Sequence, residues 1–237
     1  ALQDQGNLKE AMKSYNKAIS IKTDYANAYN NMGTALKEQG KLDKAIVSYS
    51  KALVIKPNYA EAYNNMGIAQ KKQGNLVEAV EAYNKALFIK PYYSEAFNNM
   101  GVALKNQGKL KEAIEAYKNA ISTKPDYTDA YYNIGNALQD QGKLEEAIEA
   151  YNKVLSIKPD FVEVYNNMGV GLKGVIFKNP NRSLQNTISS LLDKKLYVRP
   201  MDIADAAISL LKFEPSFQKQ LKFVNCNKVI QNPLDII

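Results

Sequence analysis

The sequence contains no histidine and no tryptophan, and it has a single cysteine, Cys226. Histidine is the commonest general base of enzymes and the commonest zinc ligand, so its absence argues against both kinds of site. One cysteine cannot build a disulfide framework, which favours a reducing compartment, and we expect a cytoplasmic protein. A lone cysteine is also more often inert than catalytic. We therefore expect no catalytic residue, no cofactor and no metal in this chain.

Other signatures are missing as well. No apolar run approaches the length needed to cross a membrane, so we expect no membrane partner. The glycines recur at a fixed spacing and do not form a phosphate-binding loop. Carboxylates such as Glu145, Glu146 and Glu149 are scattered over predicted solvent faces, and no pair stands out for glycoside chemistry. Binding is therefore a better expectation than catalysis.

What the sequence does contain is a repeat of 34 residues. An aromatic residue, two polar residues, an apolar residue and a glycine return five times without drift: 29–33, 63–67, 97–101, 131–135 and 165–169. A fixed period of this size indicates a solenoid, in which each repeat buries its apolar face only against its neighbours. Such proteins usually present a long surface to a partner.

The repeat pattern predicts two helices, if Ala26 is counted as position 1. Apolar or small residues at positions 4, 7, 8 and 11 give one face of a first helix, and positions 17, 20, 21, 24, 27 and 28 give one face of a second. Position 8 is glycine, position 20 is alanine and position 24 is tyrosine. We expect Tyr83 and Ala79 to be buried between helices. The fold class predicted from these residues is all-α.

Turn residues separate the predicted helices. Glycine at position 15 should end each first helix in a left-handed conformation, and proline at position 32 should end each second helix. After the prolines, Asn58, Asp126 and Asp160 are expected N-caps. Lysine recurs at position 31, where it would complement the dipole at the end of the second helix. These lysines are Lys22, Lys56, Lys90, Lys124 and Lys158.

This pattern resembles the tetratricopeptide repeat, which has the same period and a similar order of aromatic, glycine, tyrosine, alanine and proline positions. The resemblance implies a right-handed superhelical solenoid of antiparallel helix pairs, with the first helices lining a concave groove. Departures are few. Tyrosine or phenylalanine stands where the family often has tryptophan, Gln70 replaces a usual leucine, and Thr23 stands where proline is expected.

The repeats are predicted to cover residues 1–175, and residues 176–237 are predicted to form a different segment. The repeat region comprises a partial repeat 1–25, four full repeats 26–59, 60–93, 94–127 and 128–161, and the first helix of a fifth at 162–175. Because residue 1 falls at position 10 of a repeat, we expect a fragment of a longer protein. The later segment should form three short helices, two of them beginning near Pro200 and Pro215. It is either a divergent cap for the solenoid or the start of another domain.

Charge argues against a nucleic-acid partner. The chain carries 31 basic and 24 acidic residues, but the excess within 1–175 is only 22 to 19. A phosphate-tracking surface would be more basic. An RNA-binding helical repeat would also be expected to have a 35-residue period and variable polar positions.

Asparagine columns on the first helix suggest a binding site. Position 6 is asparagine in every repeat, although asparagine is a poor helix former. The groove resembles the asparagine-ladder repeats of O-linked N-acetylglucosamine transferase, which implies contacts to an extended peptide backbone. The alternative is that these amides pair with a neighbouring repeat and fix the stacking, and both roles can hold together. The candidate residues are Asn31, Asn65, Asn99, Asn133 and Asn167 at position 6, Asn30, Asn64 and Asn98 at position 5, and Lys37, Lys71 and Lys105 at position 12.

These observations predict a scaffold that binds a protein or an extended peptide in the groove. The alternative is a substrate-docking or regulatory arm of a glycosyltransferase- or methyltransferase-type enzyme whose catalytic domain lies outside these residues. No methyltransferase motif is present in the chain itself. A partial repeat at the N-terminal end would also expose Leu8, Ala11, Met12 and Tyr15, so we expect self-association through that end.

Overall fold

Helices are the only regular secondary structure in the computed structural model over the residues that it describes, 2–179, 181–193 and 203–213. The predicted all-α class is confirmed. The chain divides into two compact bodies, residues 1–137 and 138–237, called here the N-terminal body and the C-terminal body. In chain order the helices are α1 Leu2–Ile21, α2 Ala26–Glu38, α3 Leu42–Ile55, α4 Ala60–Lys72, α5 Leu76–Ile89, α6 Ser94–Asn106, α7 Leu110–Thr123, α8 Thr128–Asp140, α9 Leu144–Ile157, α10 Val162–Leu172, α11 Arg182–Asp193 and α12 Ala204–Leu211.

Helix pairs build the N-terminal body. The pairs α2–α3, α4–α5 and α6–α7 have the most extensive contacts, and each is joined by a three-residue turn, which makes the two helices antiparallel neighbours. Each second helix also packs against the following first helix, α3 on α4 and α5 on α6. The first helices α2, α4 and α6 touch one another in sequence. One side of this body is therefore formed by first helices only.

Glycines at position 15 end the first helices as predicted. Gly40 has a φ of 73°, and the amide of Lys41 donates to the carbonyl of Leu36 at 2.9 Å, which completes a Schellman-type turn. The glycines of the next repeats have φ values between 74° and 86°. In the fifth repeat, position 15 is Ile176, and the chain uses Gly174 instead, with a φ of 70°. Helix α10 therefore ends two residues earlier than its counterparts.

A tyrosine packed on a glycine forms the centre of each helix pair. Tyr49, Tyr83 and Tyr117 are fully buried, as is the alanine four residues before each. The ring of Tyr83 lies so close to Gly67 that a Cβ there would be 2.7 Å from its Cε1 atom. Position 8 needs glycine because the tyrosine ring occupies the space of a side chain. The predicted burial of Tyr83 and Ala79 is confirmed.

The three predicted N-caps were wrong. Asn58 and Asp160 do not cap helices, because the residues after proline form a turn and the helices begin at Ala60 and Val162. The residue before each helix is Tyr59 or Phe161, and neither gives a side-chain capping bond. Asp126 likewise lies two residues before α8. The position-31 lysines have a further contact here, since Lys56 Nζ lies 4.4 Å from the centre of the Tyr59 ring.

The start of the chain also differs from the prediction. Because residue 1 falls at position 10 of a repeat, Gly6 falls at position 15, where the repeat pattern predicts a turn between a first and a second helix. The structure shows one continuous helix, α1, from Leu2 to Ile21. A single glycine destabilises a helix interior by only about 1 kcal/mol, so flanking residues of good helix propensity can extend through it.

The C-terminal body contains the last part of α8 and helices α9 to α12. Helix α10 packs on α9, and α11 contacts both α9 and α12. Asn181 caps α11 by accepting a bond from the Leu184 amide at 3.1 Å. Helix α11 buries Leu184, Ile188 and Leu191, and the α12 region buries Ile203 and Leu210. Two of the three predicted short helices are thus present, and the one expected after Pro215 lies outside the described residues.

Candidate peptide-binding face

The exposed side of the first helices in the N-terminal body is called here the first-helix face. On α4 the buried residues are at positions 1, 3, 5, 8 and 10 of the repeat. Glu61 and Lys72, at positions 2 and 13, are exposed, whereas Asn65 and Ile68, at positions 6 and 9, are half-buried. Because these four positions fall on one side of an α-helix, they form a single accessible strip. The same positions on α2 and α6 extend the strip.

Asparagines from neighbouring repeats pair along this face. The Nδ2 atom of Asn65 donates to Oδ1 of Asn30 at 3.1 Å, and the same bond joins Asn99 to Asn64 at 3.1 Å and Asn133 to Asn98 at 2.9 Å. In each case the position-6 amide donates to the position-5 carbonyl of the preceding repeat. The three bonds, called here the asparagine ladder, fix how each first helix lies against the next.

The two asparagine columns differ in exposure. Asn30, Asn64 and Asn98 are only 7%, 5% and 8% exposed, so they are too buried for broad contact with a partner. In the other column Asn31 is exposed, and Asn65, Asn99 and Asn133 are half-buried. The structure therefore gives the position-5 column a stacking role and leaves the position-6 column partly accessible. Asn167 is half-buried on α10 in the C-terminal body.

Tyrosines at position 34 complete the buried polar contacts. Tyr93 hydrogen-bonds Asn64, and Tyr127 hydrogen-bonds Asn98. Burial, together with the charges of Glu61 and Glu95, raises the pKa of Tyr93 to about 12, and the bond to Asn64 opposes that shift. Because an interaction that lowers the pKa of a phenol stabilises its charged form, the Asn64 amide acts as the donor and the Tyr93 oxygen as the acceptor. Sequence reasoning had not connected these tyrosines to the asparagines.

Lysines at position 12 are half-buried at the far end of the first helices. The pKa of Lys37 is lowered by burial and by the charge of Lys72, although Glu38 acts in the opposite sense. Burial and Lys72 also lower the pKa of Lys71. Lys105 is half-buried as well and already interacts with another group. The predicted position-12 residues therefore form a row on α2, α4 and α6.

The variable position 9 controls the environment of the buried tyrosine. The Thr34 and Tyr49 hydroxyls lie 3.3 Å apart and share a hydrogen bond. Isoleucine and valine occupy this position in the next two repeats, and the Tyr83 and Tyr117 hydroxyls are buried without a hydrogen-bond partner among the described residues. Burial raises the pKa of both phenols. A residue that varies on the surface thus changes the polarity of the core beneath it.

Acidic residues lie in the first turn of the first helices, at the end opposite the position-12 lysines. Position 2 is Glu61, Glu95 and Asp129 in successive repeats, and all three are exposed. Lys90 pairs with Glu61 at 3.5 Å. The sequence analysis did not identify this row. The regular recurrence of an acid at position 2 was the signal that could have revealed it.

Comparison with known families identifies the repeat. A family model described as TPR repeat matches residues 1–40, 33–74 and 103–142, and one described as tetratricopeptide repeat matches residues 60–93 and 128–161. Together these matches extend over more than half of the chain, which therefore belongs to the tetratricopeptide repeat family. A search of curated proteins found no match.

Solved structures agree with this assignment. Two crystal structures of MamA align with TM-scores of 0.61. One is 27% identical and covers 68% of this chain and 94% of its own, and the other is 29% identical and covers 72% and 90%. A structure of YrrB, described as a TPR protein with an unusual peptide-binding site, covers 89% of this chain and 99% of its own with a TM-score of 0.59. Its identity is 22%, so that likeness concerns the fold.

The described part of the chain lacks two other kinds of site. Within those residues, no helix is both long and apolar enough to cross a membrane. The same residues contain no group of three or more acidic, histidine or cysteine side chains placed to hold a metal ion.

Proposed function

We propose that this chain is a scaffold that binds an extended peptide segment of a partner protein along its first-helix face. The observation that carries the proposal is the asparagine ladder. Each bond uses one N–H of a position-6 amide, and the ladder leaves the Oδ1 atom and the second N–H of Asn65, Asn99 and Asn133 for a ligand. The position-6 amides would contact the peptide backbone, and the position-5 amides would hold them in place.

The spacing of the ladder suits an extended chain. Packed helices lie about 8–10 Å apart, and three residues of extended peptide span about 10 Å. One position-6 asparagine would then hydrogen-bond the peptide backbone once in every three peptide residues, as an N–H donor, a C=O acceptor or both. Because the neighbouring repeat already orients each amide, little side-chain freedom remains to be lost on binding. This pre-organisation favours affinity without selecting particular peptide side chains.

Selectivity would come from the residues beside the ladder. Position 9 offers Thr34, Ile68 and Val102 in turn, and the lysine row lies one helical turn further along. The exposed acids at position 2 would act on the opposite edge of a bound peptide. If the parent protein carries a catalytic domain elsewhere, the same face would dock its protein substrates. On the single cysteine we place this function in the reducing cytoplasm.

The test compares removal of the donor asparagines with removal of the acceptor asparagines of the same two ladder bonds. Peptides selected from a displayed random 12-residue library on the wild-type protein would be titrated by calorimetry against two double variants. Asn65→Ala with Asn99→Ala removes the accessible amides, whereas Asn30→Ala with Asn64→Ala breaks the same two ladder bonds and keeps those amides. We expect affinity to fall about tenfold or more in the first variant and to change much less in the second. Equal losses in both variants, or a loss in neither, would contradict the proposal.

We also propose that two copies associate through α1. Met12 and Tyr15 are half-buried, and Ile21 is 78% exposed. A cavity of about 620 Å³ lies beside α1, with Met12, Met32, Leu36 and Val47 in its lining. Apolar surface of this kind is commonly covered by another protein surface. Light scattering over a concentration series should show dimers that Met12→Glu abolishes, and a monomer at every concentration would contradict this.

A further inference from the structure

Three lysines converge where the first helices of two neighbouring repeats end. Lys37 is in the last turn of α2, and Lys71 and Lys72 are in the last turn of α4. The ladder bond between Asn65 and Asn30 and the direct contacts between α2 and α4 hold these helices side by side. The charge of Lys72 acts on both Lys37 and Lys71. The three ammonium groups therefore belong to one cluster on the first-helix face.

Within the part of the chain that the structure describes, this cluster has no carboxylate partner. Among the residues that the structure describes, neither Lys37 nor Lys71 forms an ion pair with an acid, and Glu38 is the acid whose charge acts on Lys37 from outside ion-pair distance. Half-burying two lysines beside a third raises the free energy of the folded protein, because burial and like charges both oppose the charged form. An anion bound between them would remove that penalty.

The helix dipole alone does not explain the cluster. Lysine near a helix C-terminus is favourable, and this accounts for lysine at position 12 in three repeats. It does not account for the next residue, since position 13 is Lys72 in the second full repeat, Asn106 in the third and Asp140 in the fourth. A general need for helix stabilisation would act alike on every repeat. The extra lysine is local to the junction of α2 and α4.

We propose that Lys37, Lys71 and Lys72 form a carboxylate-binding subsite of the first-helix face, occupied by aspartate or glutamate side chains of a bound acidic peptide. This inference rests on the proposed function and names the class of its partner. Since the ends of α2 and α4 are about 8–10 Å apart, two acids three residues apart in an extended peptide would reach both helices. The subsite therefore favours a peptide with two acids three residues apart.

A nucleic acid fits this face less well. A phosphate backbone carries charge along its whole length, and the exposed acids Glu61 and Glu95 lie on the same helices as the lysines, near the opposite ends. A peptide can present acids on one edge only and place neutral or basic side chains towards Glu61 and Glu95. Because acids and lysines lie at opposite ends of each first helix, the face favours a partner that carries its negative charges along one edge only.

The test uses two fluorescein-labelled peptides of four triplets each, Glu-Pro-Ala and Gln-Pro-Ala, whose prolines favour an extended conformation. Fluorescence anisotropy would measure their affinities for the wild-type protein and for Lys37→Gln with Lys71→Gln. The control is Lys111→Gln with Lys118→Gln on α7, which changes net charge by the same amount at exposed positions. We expect the wild type and the control to prefer the glutamate peptide about tenfold at low salt, and the cluster variant to lose most of that preference.

Several outcomes would overturn the subsite. These are absence of binding by the glutamate peptide, equal affinity for both peptides, an equal loss in the α7 control, or tighter binding of a single-stranded oligonucleotide of the same charge. The proposed function fails separately, if Asn65→Ala with Asn99→Ala leaves both peptide affinities unchanged while the lysine dependence persists. A second readout needs no ligand. Lys72→Gln should raise the urea midpoint relative to Lys111→Gln because it removes like-charge repulsion, and a midpoint no higher than the control's would count against the cluster.

Discussion

Two contacts recur along the N-terminal body, one within each helix pair and one between neighbouring first helices, and they differ in chemistry. Within each helix pair, a fully buried tyrosine packs on a glycine, as Tyr83 does on Gly67. Between neighbouring first helices, one asparagine donates a hydrogen bond to another, as Asn65 does to Asn30. Apolar burial stabilises strongly but is non-directional. The net contribution of a hydrogen bond to stability is small, but the bond specifies geometry. The comparison indicates that tyrosine packing supplies stability and the ladder supplies register.

The largest expected effect concerns the tyrosine contact. Tyr83→Ala should lower the free energy of unfolding by about 3–5 kcal/mol, because it empties a closely packed site. The matched control is Tyr92→Ala, since Tyr92 is 83% exposed and its replacement should change stability by less than about 0.5 kcal/mol. Urea unfolding followed by circular dichroism measures both. Similar losses for the two variants would show that the buried tyrosine is not the main stabilising contact.

A smaller effect is expected when one side of the ladder is removed. Asn65→Ala leaves the buried Oδ1 atom of Asn30 without its donor and should cost about 1–3 kcal/mol. Asn30→Ala with Asn65→Ala removes both partners and should cost clearly less than Asn65→Ala alone. A double-mutant cycle on urea midpoints gives the coupling between the two residues. Additive effects would mean that the amide pair contributes no specific interaction.

A finer comparison separates tyrosines that share the same packing. Tyr49→Phe should cost about 1 kcal/mol, because the Tyr49 hydroxyl is bonded to Thr34. Tyr83→Phe should instead raise stability by up to about 1 kcal/mol, since it removes a buried hydroxyl that has no partner among the described residues. Thermal unfolding of the two variants against wild type resolves the signs. The same sign for both would contradict the role given to position 9.

The smallest expected effect concerns the turns that join repeats. Lys56→Gln removes the ammonium group above the Tyr59 ring and should cost about 0.5 kcal/mol, whereas Lys56→Arg should retain the contact. Lys118→Gln serves as the exposed control for the loss of charge. Differential scanning calorimetry would detect the shift. If Lys56→Gln and Lys118→Gln changed stability equally, the contact between Lys56 and the Tyr59 ring would contribute nothing measurable, and only the interaction of Lys56 with the helix dipole would remain.

The sequence predicted the apolar contacts better than the polar ones. Columns such as Tyr83 and Ala79 repeat because burial tolerates few residue types, so periodicity alone reveals which helix faces are buried. The partner of Asn65 could not be found in this way, because it lies 35 residues earlier on a different helix and the pairing depends on how the helices are placed side by side. Of the two roles that the asparagine column suggests, the structure shows the stacking contact directly.

Local signals failed where packing outweighs them. Asn58 is a good capping residue, but the turn after Pro57 delays the helix until Ala60. Gly6 has the repeat position of a turn glycine, yet α1 continues through it. Gly174 replaces the missing glycine of the fifth repeat from a position two residues earlier. In each case the helix boundary depends on its surroundings, which a periodic pattern does not describe.

The asparagine ladder has a consequence for how such a gene can change. Every ladder bond joins an acceptor at position 5 to a donor at position 6, so a repeat that carries both can be duplicated or deleted without leaving an unmatched junction. Repeats 26–59, 60–93 and 94–127 carry both residues, whereas repeat 128–161 has Tyr132 at position 5. Unequal recombination among the first three would therefore lengthen or shorten the first-helix face by whole 34-residue steps, and Tyr132 marks the boundary beyond which such exchange breaks the pairing rule.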